Sequence, residues 1–341
     1  MATLELSNCS LSADDLTSLA KFLAGNTTLH SLDISKNNIE SVDTVKAIAK
    51  AIKKHPRLGH VGLAYCSLGG GDHDVLDKVL VACKQCVSLE IGHNDFDSEG
   101  VAIIAKFLGR KNSLTSFSLM GAPIVDKESK KLLTNGLVKN KNIEELCLHS
   151  NALQLPGILR NTKKITESLS RLTRLDLSFN SLPVQGAKVL AKFLAETDTS
   201  LTTLIMSNNN MTIKGANALL PALKENTSLQ HLDLSCNWLN DKAAPAIIDG
   251  LKNNSTLLSF DLSGNKSLKA SHGGGRSWRN NWERNPKVEG GRPKVVKGAL
   301  FDTTSLEAIG NSNHTCAVTM AGNNRGNTYE DTIFKINTLH S

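Results

Sequence analysis

The sequence predicts an α/β fold: a horseshoe solenoid of stacked strand-turn-helix units, with parallel strands inside and helices outside. Three observations predict it. An apolar motif returns every 28 or 29 residues, an asparagine closes most copies of that motif, and the stretches between copies carry one apolar face at helical spacing.

The motif has the form L-x-x-L-x-L-x-x-N-x-L. It is met by Leu29, Leu32, Ile34, Asn37 and Ile39, by Leu172, Leu175, Leu177, Asn180 and Leu182, and by Leu229, Leu232, Leu234, Asn237 and Leu239. With the second apolar position as phase marker, the strands centre on Leu4, Leu32, Val61, Leu89, Phe117, Leu146, Leu175, Leu204, Leu232 and Phe260. Aromatic residues make up 4% of the chain against 40% hydrophobic, so the core has to be built of Leu, Ile, Val and Ala. Asn37, Asn94, Asn151, Asn180, Asn209 and Asn237 are expected to turn inward after each strand and bond backbone groups that the turn leaves unpaired. Cys9 and Cys66 take the same slot in their repeats.

Between motifs, Ser12 to Asn26 reads as a helix, with Leu16, Leu19, Ala20 and Leu23 on one face and Ser12 with Asp15 as a variant capping box. The same segment type returns at 103–109, 189–195 and 218–224. Each unit buries its apolar faces only against its neighbours, and because helices are wider than strands the stack is expected to curve. These residues resemble the ribonuclease-inhibitor-like leucine-rich-repeat family, which includes the sensor regions of NOD-like receptors and Ran GTPase-activating protein. The resemblance covers about residues 2–268 and implies the fold far more than a function. Residues 302–316 resemble the last repeat of cytoplasmic members from unicellular eukaryotes.

Three stretches are expected: ten repeats over 1–268, a basic and flexible insert over 269–300, and an irregular terminal repeat with a cap over 301–341. The chain begins inside a repeat, with no unit before Leu4 and Leu6, which reads as a truncated gene product rather than an edge covered by another chain. The insert delays the eleventh strand to Leu306–Ile309, and a short apolar helix is expected through Ile333, Ile336 and Leu339. No basic-then-apolar leader opens the chain, and no run approaches the roughly 18 apolar residues of a membrane span, so a soluble cytoplasmic protein is expected. Seven cysteines, an odd number lying mostly in core slots, read as reduced thiols rather than a disulfide framework.

Candidate chemistry is sparse. Cys83-Lys84-Gln85-Cys86 has the spacing of half a zinc site or a redox pair, but its register puts Cys86 in an apolar slot and no second pair exists, so packing is the expected role. Gly69-Gly70-Gly71-Asp72-His73-Asp74 lacks the ending of a phosphate loop, and Asp72 is a natural helix cap. Sequons such as Asn8-Cys9-Ser10 and Asn226-Thr227-Ser228 carry little weight without a secretory signal. No nucleophile-base arrangement stands out, so no enzymatic activity, cofactor or metal is expected. The insert holds a formal charge of +6 of the chain's +7, with Arg276, Trp278, Arg279, Trp282 and Arg284 as a secondary basic patch. A solvated loop is its favoured reading over a site for an acidic partner or nucleic acid.

The strand residues between the second and third apolar positions face inward in this fold. With Glu144 and Glu145 they place eight acids on the expected concave surface, opposed by Lys36 and Arg174. Amid these, His60, Tyr65, His93, Met120, His149 and Phe179 are larger and less polar than the Ser ladder of the other repeats. Together with Glu90, Glu144, Glu145 and Asp176 they form the candidate partner-binding site. The expected function is a non-catalytic interaction scaffold or regulator that takes a protein partner with a basic surface, away from membranes and nucleic acid. A GTPase activator of the Ran type is the alternative implied by the resemblance; that family carries an acidic tail where this chain has a basic insert. Ribonuclease inhibition is disfavoured because the chain is poor in cysteine.

Overall fold

The computed structural model describes residues 2–39, 41–69, 71–153, 170–195, 199–252 and 254–265, with two strand segments at 317–319 and 333–334. The chain divides into a first unit that runs to Asp176 and a second that starts at Leu177.

In the first unit seven short strands are joined in parallel: β1 (Ala2–Glu5), β2 (Leu29–Asp33), β3 (His60–Gly62), β4 (Ser88–Glu90), β5 (Ser116–Ser118), β6 (Glu145–Cys147) and β7 (Arg174–Asp176). Register follows the phase markers: Leu4 lies opposite Leu32, Leu32 opposite Val61, Val61 opposite Leu89, and so on to Leu146 opposite Leu175. The reason is packing. A slip of one residue would turn every marker from the core to the other face.

Helices α1 (Ala13–Gly25), α2 (Val42–Lys54), α3 (His73–Ala82), α4 (Ser98–Leu108) and α5 (Lys127–Lys139) return the chain between these strands. Each begins at a side chain that accepts the backbone N–H three residues on: Ser12 from Asp15, Ser41 from Thr44, Asp72 from Val75, Asp97 from Gly100 and Asp126 from Ser129. Such a cap contributes about 1 kcal/mol. At Ser12 the expected capping box closes, since Asp15 accepts from the Ser12 N–H in return, and this hydrogen bonding holds the Asp15 carboxyl below its usual range. The glycine run ends, as expected, in the Asp72 cap. Beside it, His73 sits between Asp97 at 2.9 Å and Glu99 at 3.3 Å, and its hydrogen bond to Asp97 raises the imidazole's pKa.

The second unit repeats the plan with β8 (Thr203–Ile205), β9 (His231–Asp233) and β10 (Ser259–Asp261) in parallel, and helices α6 (Val184–Leu194), α7 (Ile213–Leu219) and α8 (Ala244–Leu251). The segment at 218–224 is not one continuous α-helix. Pro221 has no N–H to give to a carbonyl four residues back, and Leu220–Lys224 tightens into a 3-10 turn.

At the far end two expectations are corrected. The strand beside β10 is β11 (Ala317–Thr319), with Val318 opposite Phe260, rather than Leu306–Ile309, which lies outside the described residues. The short helix expected over 332–340 gives way at Ile333–Phe334 to β12, which pairs antiparallel with β11. A β-branched residue next to an aromatic one suits a strand edge better than an isolated turn of helix. The insert, with Arg276, Trp278, Arg279, Trp282 and Arg284, also lies outside the described residues.

The core is aliphatic, as composition requires. Leu32, Leu89, Phe117, Leu175 and Leu204 are all buried at the strand centres. The asparagine slot behaves as expected and in detail. Asn37 Oδ1 accepts from the N–H groups of Cys9 and Leu11 one repeat earlier, at 3.1 Å each, while its Nδ2 donates to the carbonyls of Leu6 and Ile34. Asn94 does the same for Cys66 and Leu68, and donates to Leu63 and Ile91. In its own slot Cys66 donates through Sγ to the Ile34 carbonyl at 3.3 Å, and burial pushes its thiol pKa up to about 12.

A second ladder stands where each helix ends. Asn26, Asn140, Asn226 and Asn254 each accept the N–H of the first apolar residue of the next motif, as Asn226 does from Leu229 at 2.7 Å. Three of these four open an N-x-[ST] triplet, so those sequons are the sequence form of a structural position. His55 fills the same place in the second turn. It lies 3% exposed, with Nε2 3.3 Å from Asn26 Oδ1 and Nδ1 accepting from the Arg57 N–H, and burial holds it below the usual histidine range. Cys83 follows it in sequence register, fully buried with Cys86, so the Cys-x-x-Cys pair packs the core.

Candidate functional site

After each strand the chain passes through a residue with left-handed backbone, one position before the asparagine slot. In the first unit this column is Asn8, Lys36, Tyr65, His93, Gly121 and Ser150, with φ between 54° and 60°. Each member donates its backbone N–H to the carbonyl of the residue just before the next member, as Tyr65 does to Gly92 at 3.0 Å and Gly121 to His149 at 2.9 Å. The column one step earlier holds Ser7, Ser35, Ala64, Gly92, Met120 and His149. Tyr65 and His93 therefore belong to one column and Met120 and His149 to the adjacent one, a distinction that the spacing of apolar residues does not reveal.

Two of them are brought into direct contact. The rings of Tyr65 and His93 stack with centroids 4.2 Å apart and planes 11° from parallel. Gly121 makes room for them: a Cβ there would run into the His93 imidazole. Gly92 plays the same part for Met120, whose backbone N would lie 2.8 Å from an added Cβ. Burial lowers the His93 pKa and nearby His149 lowers it further, against an opposing pull from Asp95. Tyr65 remains 46% exposed. The result is a rigid ring pair open to solvent on one side, flanked by Met120 and His149.

The acids are distributed along the strands rather than around the rings. Glu90, which ends β4, is partly buried; burial and then Asp33 raise its pKa. Asp33, Asp233 and Asp261 each accept the N–H two residues on, so part of the acidic column serves its own turn. Asp176 ends β7. His60 and Glu145 begin β3 and β6, with Glu144 just before, at the opposite end of the strands from the turns that carry the ring pair. In the second unit Phe179, 49% exposed, holds the corresponding left-handed position of its own repeat with φ 57°. That unit also exposes Trp238 at 57%, its Nε1 donating to Asn210 Oδ1 at 2.7 Å. Sequence reading passed over Trp238 because it follows the asparagine slot, a position without a pattern of its own. Among the described residues no group of His, Cys, Asp and Glu could hold a metal ion.

Comparison with known proteins meets this geometry. The leucine-rich-repeat family model matches residues 25–43, 197–220 and 225–247. The chain is built of leucine-rich repeats. Human NACHT, LRR and PYD domains-containing protein 13 is 33% identical over 108 residues, which is 32% of this chain and 10% of that protein. Mouse ribonuclease inhibitor is 26% identical over 177 residues, 52% of this chain and 39% of the inhibitor. The chain thus spans well under half the length of either relative. Among solved structures, the leucine-rich repeat-containing protein LegL7 from Legionella pneumophila aligns over 94% of this chain and 90% of its own, with TM-score 0.53 and 18% identity, a likeness of fold. No helix among the described leucine-rich repeats is long and apolar enough to cross a membrane.

Proposed function

We propose that this leucine-rich-repeat chain is a non-catalytic protein-binding module that docks its partner on the strand face of the first unit, around Tyr65 and His93. The stacked ring pair carries the reading. The left-handed turn recurs in every repeat of the first unit, and at Tyr65 and His93 it carries rings where Asn8, Lys36 and Ser150 stand in other repeats. A half-exposed tyrosine fixed on a rigid turn, beside a methionine, is the kind of group that supplies most of the energy at a protein interface. Glu90 and Asp176 on the same face, with Glu144 and Glu145 at the strand starts, favour a partner with a basic surface by attracting it over several ångströms before contact. The buried free thiols of Cys66, Cys83 and Cys86 suit a reducing compartment, so the proposed location is the cytoplasm.

The test is kinetic, with a partner first isolated by affinity capture and mass spectrometry. Reversing Glu144 and Glu145 to Lys is expected to slow association severalfold and flatten its salt dependence, whereas Tyr65→Ala is expected to speed dissociation about tenfold or more. Unchanged rates in both variants would place the docking face elsewhere.

A further inference from the structure

The parallel order of the first unit has a geometric consequence: every helix-to-strand turn lies on one edge, and every strand-to-helix turn on the other. Charge is sorted between these edges. The strand-to-helix turns carry Asp72, Asp74, Asp97 and Asp126. The helix-to-strand turns carry cations. The second of them runs Lys53-Lys54-His55-Pro56-Arg57, the third contains Lys84, the fourth Arg110 and Lys111, and the fifth Lys139 and Lys141. No Asp or Glu stands within 53–60, 82–88 or 108–116, whereas the fifth turn runs into Glu144 and Glu145 at the start of β6, so the basic row is unbroken over the second to fourth turns.

The helix dipole accounts for Lys53, Lys54 and Lys139, which lie in last turns. It does not account for Arg57, Arg110, Lys111 and Lys141, which follow the helix ends, where the dipole's reach has faded. Of these eight cations only Arg110 meets a carboxylate among the described residues, Asp77 at 3.4 Å. The turns themselves are bound side by side. Gln85 Nε2 donates to the Ile52 carbonyl at 3.2 Å, Ser113 N–H to the Lys84 carbonyl at 3.0 Å, and Asn142 Nδ2 to the Asn112 carbonyl at 2.7 Å. The cations are therefore carried on a fixed row.

The row has an opening. A cleft of about 460 Å³ lies between the second and third turns, edged by Lys53, Lys54 and Arg57, with Pro56, Leu58 and Val87 supplying apolar wall. Val87 is 40% exposed. Successive turns are spaced between the strand separation of about 4.8 Å and the helix separation of about 8–10 Å. Alternate side chains of an extended polypeptide fall about 6.6 Å apart, inside that range. The edge offers no aromatic side chain on which a base could stack, which single-stranded nucleic acid requires of such a groove.

From this arrangement we infer that the helix-to-strand edge of the first unit is a second interaction surface, which binds an extended acidic polypeptide segment and seats one of its apolar side chains in the cleft beside Val87. This surface is separate from the strand face, of opposite charge, and would let one chain hold two unlike partners.

The test uses the full chain and a fluorescein-labelled peptide in which a leucine is flanked by three glutamates on each side, followed by fluorescence anisotropy. Saturable binding that weakens steeply with salt is expected. Combining Lys53→Glu, Arg57→Glu and Lys84→Glu should weaken it about tenfold or more, while the same charge change at exposed positions of α4 and α5, Lys106→Glu with Lys127→Glu and Lys131→Glu, should change it less than about twofold. Replacing the peptide's leucine by serine should weaken binding to the wild-type chain and leave the Val87→Ala variant less affected. All substituted positions are solvent-exposed, and circular dichroism with thermal melts confirms that each variant is folded. Absence of saturable binding, equal losses in the two triple variants, or tighter binding of oligouridylate or anionic vesicles than of the peptide would each overturn the assignment.

Discussion

Asn94→Ala is expected to lower stability by about 2–6 kcal/mol, because it strands two buried N–H groups at about 1–3 kcal/mol each. The groups are those of Cys66 and Leu68, which Asn94 Oδ1 accepts at 2.7 and 3.1 Å, and three carbonyls lose their donor at the same time. Asn94 is 1% exposed, so water does not readily replace the amide. Asn94→Cys should recover part of the loss, since Cys66 in the neighbouring slot shows that a thiol reaches the carbonyls, at 3.3 Å from Ile34 O. Denaturant titration followed by circular dichroism gives the comparison. A loss below about 1 kcal/mol for the alanine variant would mean that the ladder is dispensable.

Leu177→Ala is expected to cost about 2–5 kcal/mol through lost burial and the cavity left behind. Leu177 is 2% exposed, and its N–H and carbonyl are committed to Ile205 and Asn209, so the backbone has little freedom to close around a smaller side chain. A loss under about 1 kcal/mol in the same titration would contradict the register on which every placement here depends.

How far the sequence carried depends on what each residue encodes. Strand phase was legible because a buried leucine at one position demands a buried partner at the same position in the next repeat, and Leu32, Val61 and Leu89 meet in that order. The first asparagine ladder was legible for the same reason. The second was hidden: Asn226 and Asn254 read as sequons, and the substitution of His55 and Cys83 in the same place breaks the pattern. The terminal strand was misplaced because the insert removes the phase, and a short run such as Leu306–Ile309 has no more β character than Ala317–Thr319.

At the candidate site the residue types were legible but not their columns. Tyr65 and His93 occupy a left-handed position whose sequence signs are Asn8, Gly121, Asn208 and Gly264 in other repeats, and backbone handedness leaves no trace in hydrophobic spacing. The stack joins residues at this left-handed position in two neighbouring repeats. The acidic face was legible as composition, whereas the commitment of Asp33 to the Ser35 N–H was not.

The most direct test of the docking face is site-specific photocrosslinking. A benzophenone side chain placed at Met120, beside the ring pair, and separately at Lys131, on the exposed side of α5, is irradiated in the presence of the captured partner. An adduct from position 120 that disappears when Tyr65→Ala is added, with little or none from position 131, is the expected result; an adduct from position 131 alone, or one from position 120 that is indifferent to Tyr65, would contradict it.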